Sequence, residues 1–165
     1  MAMIRIPRDF LDLFRLLNRN GAKYLMIGGY AVVVHGHSRS TGDLDIFIER
    51  SPENAAAVCT AYHEFGLGRG EVTPEDFLSD GRLIRAGVEP LRLEVLNRIS
   101  GVEFAQCYER RILVDVDGLK IAVIGREDLI ANKLATGRVK DLLDVRQLTK
   151  GEQPKPRLRR RRKSP

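Results

Sequence analysis

The chain has 165 residues, 43% of them hydrophobic and 30% charged, enough for one domain with a core and too few for two comfortable ones. That composition is globular rather than disordered, and no apolar run approaches the roughly 20 residues of a membrane helix. Two cysteines, Cys59 and Cys107, and three histidines supply neither a disulfide framework nor a zinc spacing. Arg5, Arg8, Asp9 and Asp12 interrupt the first apolar residues, unlike a signal peptide. A cytoplasmic protein with no membrane partner is expected.

The net charge of +6 is unevenly placed. Lys155, Arg157, Arg159, Arg160, Arg161, Arg162 and Lys163 supply seven positives, and subtracting them leaves the preceding 154 residues at −1. A block of like charges among prolines cannot bury apolar area. A disordered basic tail is therefore expected over 151–165, after a domain over 1–150. Such a tail suits salt-dependent phosphate contacts with nucleic acid, or serves only to solubilise.

In chain order, Phe10, Leu11, Phe14, Leu16 and Leu17 recur at helical spacing until Asn20-Gly21 stops them. Tyr24 to Ile27 is a short apolar run ending in Gly28-Gly29, and Tyr30 to His35 reads as helix. A polar loop leads to the β-forming Leu44 to Ile48. Ser51-Pro52 then opens a helix to Phe65 as N-cap and first helical residue. A helical turn is predicted at Pro74 to Leu78, followed by paired strands at Arg82 to Ala86 and Leu91 to Leu96. Val102 to Arg110 has helical composition, and Ile112 to Val116 and Leu119 to Ile124 alternate around the hairpin signal Asp117-Gly118. Two closing helices, Glu127 to Ala135 and Val139 to Leu148, break at Gly137. The pattern predicts a single α+β (α/β) domain, a mixed sheet of about five strands flanked by helices.

Asp43-Leu44-Asp45 carries chemistry because residues i and i+2 of a strand share a face. Both carboxylates project together while Leu44 points to the core, and side by side they repel unless a cation lies between them. Mg²⁺, held by one or two carboxylates plus substrate phosphates, answers that need. Upstream, Gly28-Gly29 stands between a strand and a helix, where backbone N–H groups can approach a phosphate. Glu94 stands alone among apolar strand residues and requires a partner, either a metal or Arg92 or Arg85. Asp115-Val116-Asp117 looks similar but reads as turn chemistry. His35-Gly36-His37 and Gly66-x-Gly68-x-Gly70 read as loop. Lys133 reads equally as a solvated helix lysine or a site residue, and Cys107 as core.

Ile27-Gly28-Gly29-Tyr30-Ala31, then Arg39-Ser40-Thr41-Gly42-Asp43-Leu44-Asp45-Ile46, resembles the signature of the polymerase-beta-type nucleotidyltransferase superfamily. Leu93-Glu94-Val95-Leu96 falls where that superfamily places its third acid, and Asp128 to Lys133 and Gly137 to Asp144 resemble its helical close. Within it, the chain is most similar to small bacterial proteins near the AbiEii abortive-infection toxins. The resemblance implies that Asp43, Asp45 and Glu94 are catalytic, with Asp43 and Asp45 holding one or two Mg²⁺ ions and Glu94 either binding the second metal or acting as base on the acceptor hydroxyl. It implies that Gly28 and Gly29 hold the triphosphate of an NTP, with Lys133 and Lys140 as phosphate or substrate contacts and Asp141 and Asp144 orienting them. Arg39 and Thr41, placed just before the acid pair, read equally as facing the triphosphate or, for Thr41, as capping the turn. The implied reaction moves a nucleoside monophosphate to a hydroxyl of RNA, particularly tRNA, or of a protein, in a toxin–antitoxin or phage-defence setting with a cognate toxin or antitoxin as partner. Adenylylation of a small molecule such as an antibiotic shares the same front end. A non-catalytic, antitoxin-like binding module is the alternative from another class.

Overall fold

The computed structural model describes residues 5–87 and 91–150; the basic segment over 151–165 lies outside them. Helix α1 (Arg8–Arg19) buries Phe10, Leu13, Phe14 and Leu17, one stripe at helical spacing. Strand β1 (Tyr24–Ile27) is buried along its whole length, as expected of a strand covered on both faces. Helix α2 (Gly28–Val34) follows without a linker. Strand β2 (Asp43–Ile48) buries Leu44 and leaves Asp43 and Asp45 half-buried, so the two acids share a face as predicted.

Helix α3 (Pro52–Glu64) is capped by the Ser51 hydroxyl, which accepts from the Asn54 N–H at 3.2 Å. Helix α4 (Pro74–Leu78) is short, and the Asp76 carboxylate accepts from the Thr73 N–H at 2.8 Å. Strands β3 (Leu83–Ala86) and β4 (Arg92–Leu96) pair antiparallel, as expected. After α5 (Phe104–Glu109), β5 (Ile112–Val116) and β6 (Leu119–Val123) form the predicted hairpin. At its tip Asp117 and Gly118 take φ of 52° and 84°, and Asp115 accepts from the Gly118 N–H at 2.8 Å. Asp115 is thus a turn residue. Helices α6 (Arg126–Thr136) and α7 (Val139–Thr149) follow, the last elements among the described residues.

The sheet has six strands in the order β3-β4-β2-β1-β6-β5, one more than the expected five or so, because a hairpin completes each edge. β1 is antiparallel to β2 and parallel to β6, while β2 is parallel to β4. This mixed order sets the C-terminal ends of β1 and β6 beside the N-terminal end of β2. Helix α1 packs on α3 and β6, and α2 on β1 and β2. A forked pair, Arg110 Nε and Nη2 to the Asp128 carboxylate at 3.0 and 2.8 Å, joins the end of α5 to α6. Among the described residues no helix is long and apolar enough to cross a membrane.

Central and edge positions should respond differently to truncation. Leu25 in β1 is 0% exposed and Leu113 in the edge strand β5 is 58% exposed. Leu25→Ala is expected to lower unfolding free energy by about 3 kcal/mol, and Leu113→Ala by less than about 0.5 kcal/mol, as read from urea unfolding.

Candidate functional site

The site begins where β1 ends. Ile27 pairs with Asp45 across the antiparallel β1–β2 ladder, and the chain then turns at Gly28 with φ of 68°. A Cβ on Gly28 would stand 2.3 Å from Asp45 Oδ2, and one on Gly29 would stand 2.6 Å from Thr41 Oγ1. Both distances are below any tolerable contact, so the glycines let two site side chains lie directly on the turn.

Sheet register assembles the acids. Asp45 of β2 lies beside Glu94 of β4, and Asp43 beside Arg92. Glu94 lies in turn beside Arg85 of β3. Arg92 Nη2 donates to Asp43 Oδ2 at 2.9 Å, and Arg85 donates to Glu94 Oε1 through Nε at 2.9 Å and Nη2 at 2.7 Å. The two outer acids are thereby neutralised. Asp45 is not: its Oδ1 is buried with no hydrogen-bond partner. Burial, then the neighbouring Glu94 and Asp43, push its carboxyl up to about 6 from 3.8, against the pull of Lys133.

Among the described residues no three His, Cys, Asp or Glu side chains are arranged as a metal cage. Mg²⁺ does not require one, because it keeps waters and takes substrate phosphates as ligands. The orphaned Asp45 oxygen, crowded by two further carboxylates, fits such a shared cation site.

A second cluster faces the first from the C-terminal helices. Lys133 is 4% exposed, which corrects the solvated-lysine reading. Its Nζ donates to Asp141 Oδ1 at 3.1 Å and to Asp144 Oδ2 at 2.8 Å. Arg39 Nη1 donates to the same Asp144 oxygen. The other Asp141 oxygen accepts from Thr136 Oγ1 at 2.6 Å and Arg138 Nε at 2.8 Å. Burial opposes ionisation of Asp141, yet these hydrogen bonds hold its carboxyl below the usual value. Helical spacing alone did not reveal that Lys133 turns inward. The signal was the Asp141-x-x-Asp144 pair one turn apart on the next helix.

Gly28, Gly29, Arg39, Thr41, Asp43, Asp45, Glu94, Lys133 and Lys140 all line one cleft of about 2120 Å³. Lys140 is exposed on its wall. The His35 ring is engaged with the Ile124 carbonyl at 2.8 Å, and the Gly66–Gly70 loop does not line the cleft. Cys107 is buried, and burial, then Asp128, push its thiol up to about 11, which disqualifies it as a nucleophile. Arg85 and Arg92 entered the sequence reading only as alternative partners of Glu94. The structure gives Glu94 to Arg85 and sends Arg92 to Asp43.

An ionised carboxyl with a raised pKa costs stability above that pKa, and the cost vanishes below the unfolded value. Asp45→Asn is expected to stabilise the unliganded protein by about 2–3 kcal/mol at pH 7. The gain should fade as pH falls from about 6 toward 3.8, as followed by urea unfolding across that range.

No curated protein matches the sequence. The fold is similar to that of a proposed nucleotidyltransferase from Thermotoga maritima, with a TM-score of 0.60 and 16% identity over 88% of this chain and 92% of the other. It is also similar to an antigenic nucleotidyltransferase-like protein from Paracoccidioides brasiliensis, with a TM-score of 0.51 and 15% identity over 87% of this chain and 77% of the other. At these identities the likeness is one of fold. Residues 8–150 match the family described as "Nucleotidyltransferase of unknown function (DUF6036)", and the chain belongs to that family, within the nucleotidyltransferase superfamily that its glycine turn and strand acids resemble.

Proposed function

We propose that the chain is a Mg²⁺-dependent nucleotidyltransferase that moves a nucleoside monophosphate from an NTP to a hydroxyl of an RNA such as tRNA. The observation that carries this reading is the Asp45 carboxylate, whose Oδ1 is buried without a partner while its Oδ2 lies against the Gly28 turn. Bound Mg²⁺ would neutralise phosphate charge and polarise the α-phosphate. Asp45 and Asp43 would hold it, with Asp43 released from Arg92. The Gly28-Gly29 backbone, Arg39 and Thr41 would receive the β- and γ-phosphates, and Lys133, neutralised on one side by Asp141 and Asp144, would hold its charge toward Asp45. Glu94 would take the proton of the acceptor hydroxyl as that oxygen bonds the α-phosphorus and pyrophosphate leaves.

Cleft size supports an acceptor bound beside the NTP. A volume of 2120 Å³ exceeds the ~300–1,000 Å³ of a single small-ligand pocket, which leaves room for an acceptor beside the nucleotide. Arg50, Arg85, Arg98, Arg110 and Arg138 line the cleft and are exposed, each paired with a carboxylate that an RNA phosphate would exchange for its own contact. A toxin–antitoxin or phage-defence setting rests on the AbiEii resemblance. The Arg92–Asp43 and Arg85–Glu94 pairs favour one second reading, a binding module that needs no metal.

Calorimetric titration of each NTP with and without Mg²⁺ separates the two. Metal-dependent binding by the wild type, absent in Asp45→Asn, is expected, together with transfer of α-labelled NTP to RNA that falls at least about 100-fold in the variant. Binding of no NTP by folded wild-type protein would leave the binding module. Transfer to protein but not to RNA would overturn the acceptor.

A further inference from the structure

The triphosphate site proposed above has one cation, Arg39, on a segment with no regular structure of its own. Residues 37–42 between α2 and β2 form neither helix nor strand, so their backbone does not fix where the Arg39 side chain goes. The guanidinium nevertheless lies on the glycine turn: a Cβ on Gly29 would be 3.6 Å from Arg39 Cζ. Its side chain is 19% exposed. A tie on that guanidinium comes from 105 residues away, the carboxylate of Asp144 on α7, which is 9% exposed.

Asp144 does this with a single oxygen. Oδ2 accepts from Arg39 Nη1 and also from Lys133 Nζ, so one carboxylate holds two cations from different parts of the chain side by side. Lys133 is the group whose charge reaches Asp45. Without the shared oxygen the two cations would repel, and the residue on the unstructured segment is the one free to move away. A planar guanidinium held at one end is a pre-oriented fork for phosphate.

We propose that Asp144 is a positioning residue of the triphosphate site, acting through Arg39: it sets the guanidinium on the Gly28-Gly29 turn rather than touching the nucleotide itself. The assignment rests on the nucleotide-site reading and adds to it a residue on a remote helix. It also makes a prediction of opposite sign to plain electrostatics. Asp144→Asn removes a negative charge beside an anion site, which by charge alone tightens anion binding. Loss of the tether loosens it.

The test is calorimetric titration of inorganic tripolyphosphate and of the four NTPs, each with Mg²⁺, into the full chain, Asp144→Asn, Arg39→Gln and the double variant. Circular dichroism and thermal midpoints verify folding. Asp144→Asn is expected to weaken tripolyphosphate and NTP binding roughly ten-fold. In the Arg39→Gln background the same change is expected to shift affinity by less than about two-fold, since Arg39 is gone and Lys133 keeps its bond to Asp141. If Asp144→Asn does not fold, Asp144→Glu carries the test. It keeps the charge and moves the oxygen by one methylene, and a loss of about five-fold is expected. Wild-type binding with unchanged or tighter binding by the Asp144 variant overturns the positioning role alone, as does an undiminished loss in the Arg39→Gln background. Wild-type protein that binds neither tripolyphosphate nor any NTP overturns the nucleotide-site reading and this role with it.

Discussion

A half-buried carboxylate whose Oδ1 has no hydrogen-bond partner is the constraint on which the rest of this structure turns. Asp45 sits between Ile27 of β1 and Glu94 of β4, and an isolated charge in such a place costs several kcal/mol. The fold does not remove the cost. It limits it, by giving Asp43 to Arg92 and Glu94 to Arg85 and by opening space for the Asp45 carboxylate with a residue that has no Cβ. Strain left in one side chain, with its neighbours neutralised, is typical of a site prepared for a ligand.

The C-terminal helices balance that deficit with a different arrangement. Lys133, Asp141, Asp144 and Arg39 form a closed network in which each buried charge meets an opposite one. Breaking such a pair from one side leaves an uncompensated charge at a cost of about 3–5 kcal/mol. Conformational specificity is what the arrangement secures, because only one docking of α7 brings Asp144 onto both cations. Leu148, also buried, supplies the apolar part of that docking.

Most of the architecture was legible in the sequence because its signals are local. The stripe of α1, the Ser51 cap, the Asp117-Gly118 turn and the alternation around Leu44 each depend on residues a few positions apart. The three acids and the glycine turn were legible as well, and the structure brings them to one cleft. What stayed hidden depends on register between distant strands and on helix rotation. Nothing near Asp43 announces Arg92, which arrives through the parallel β2–β4 ladder. Lys133 could not be told from a surface lysine by spacing, since its inward turn follows from how α6 meets α7.

The sheet order also governs when this protein can become competent during synthesis. The acids and the glycine turn are complete by Glu94, yet β1 obtains its second neighbour only when β6 is made, through Met26 and Val123. Arg39 then waits for a helix that emerges 105 residues later. Such long-range pairings form late, because loop closure must precede any reward from contact. A ribosome-bound chain would therefore carry the three acids with Arg85 and Arg92 before Lys133 and the tether of Arg39 exist, and the arrival of α7 would act as the step that completes the cleft.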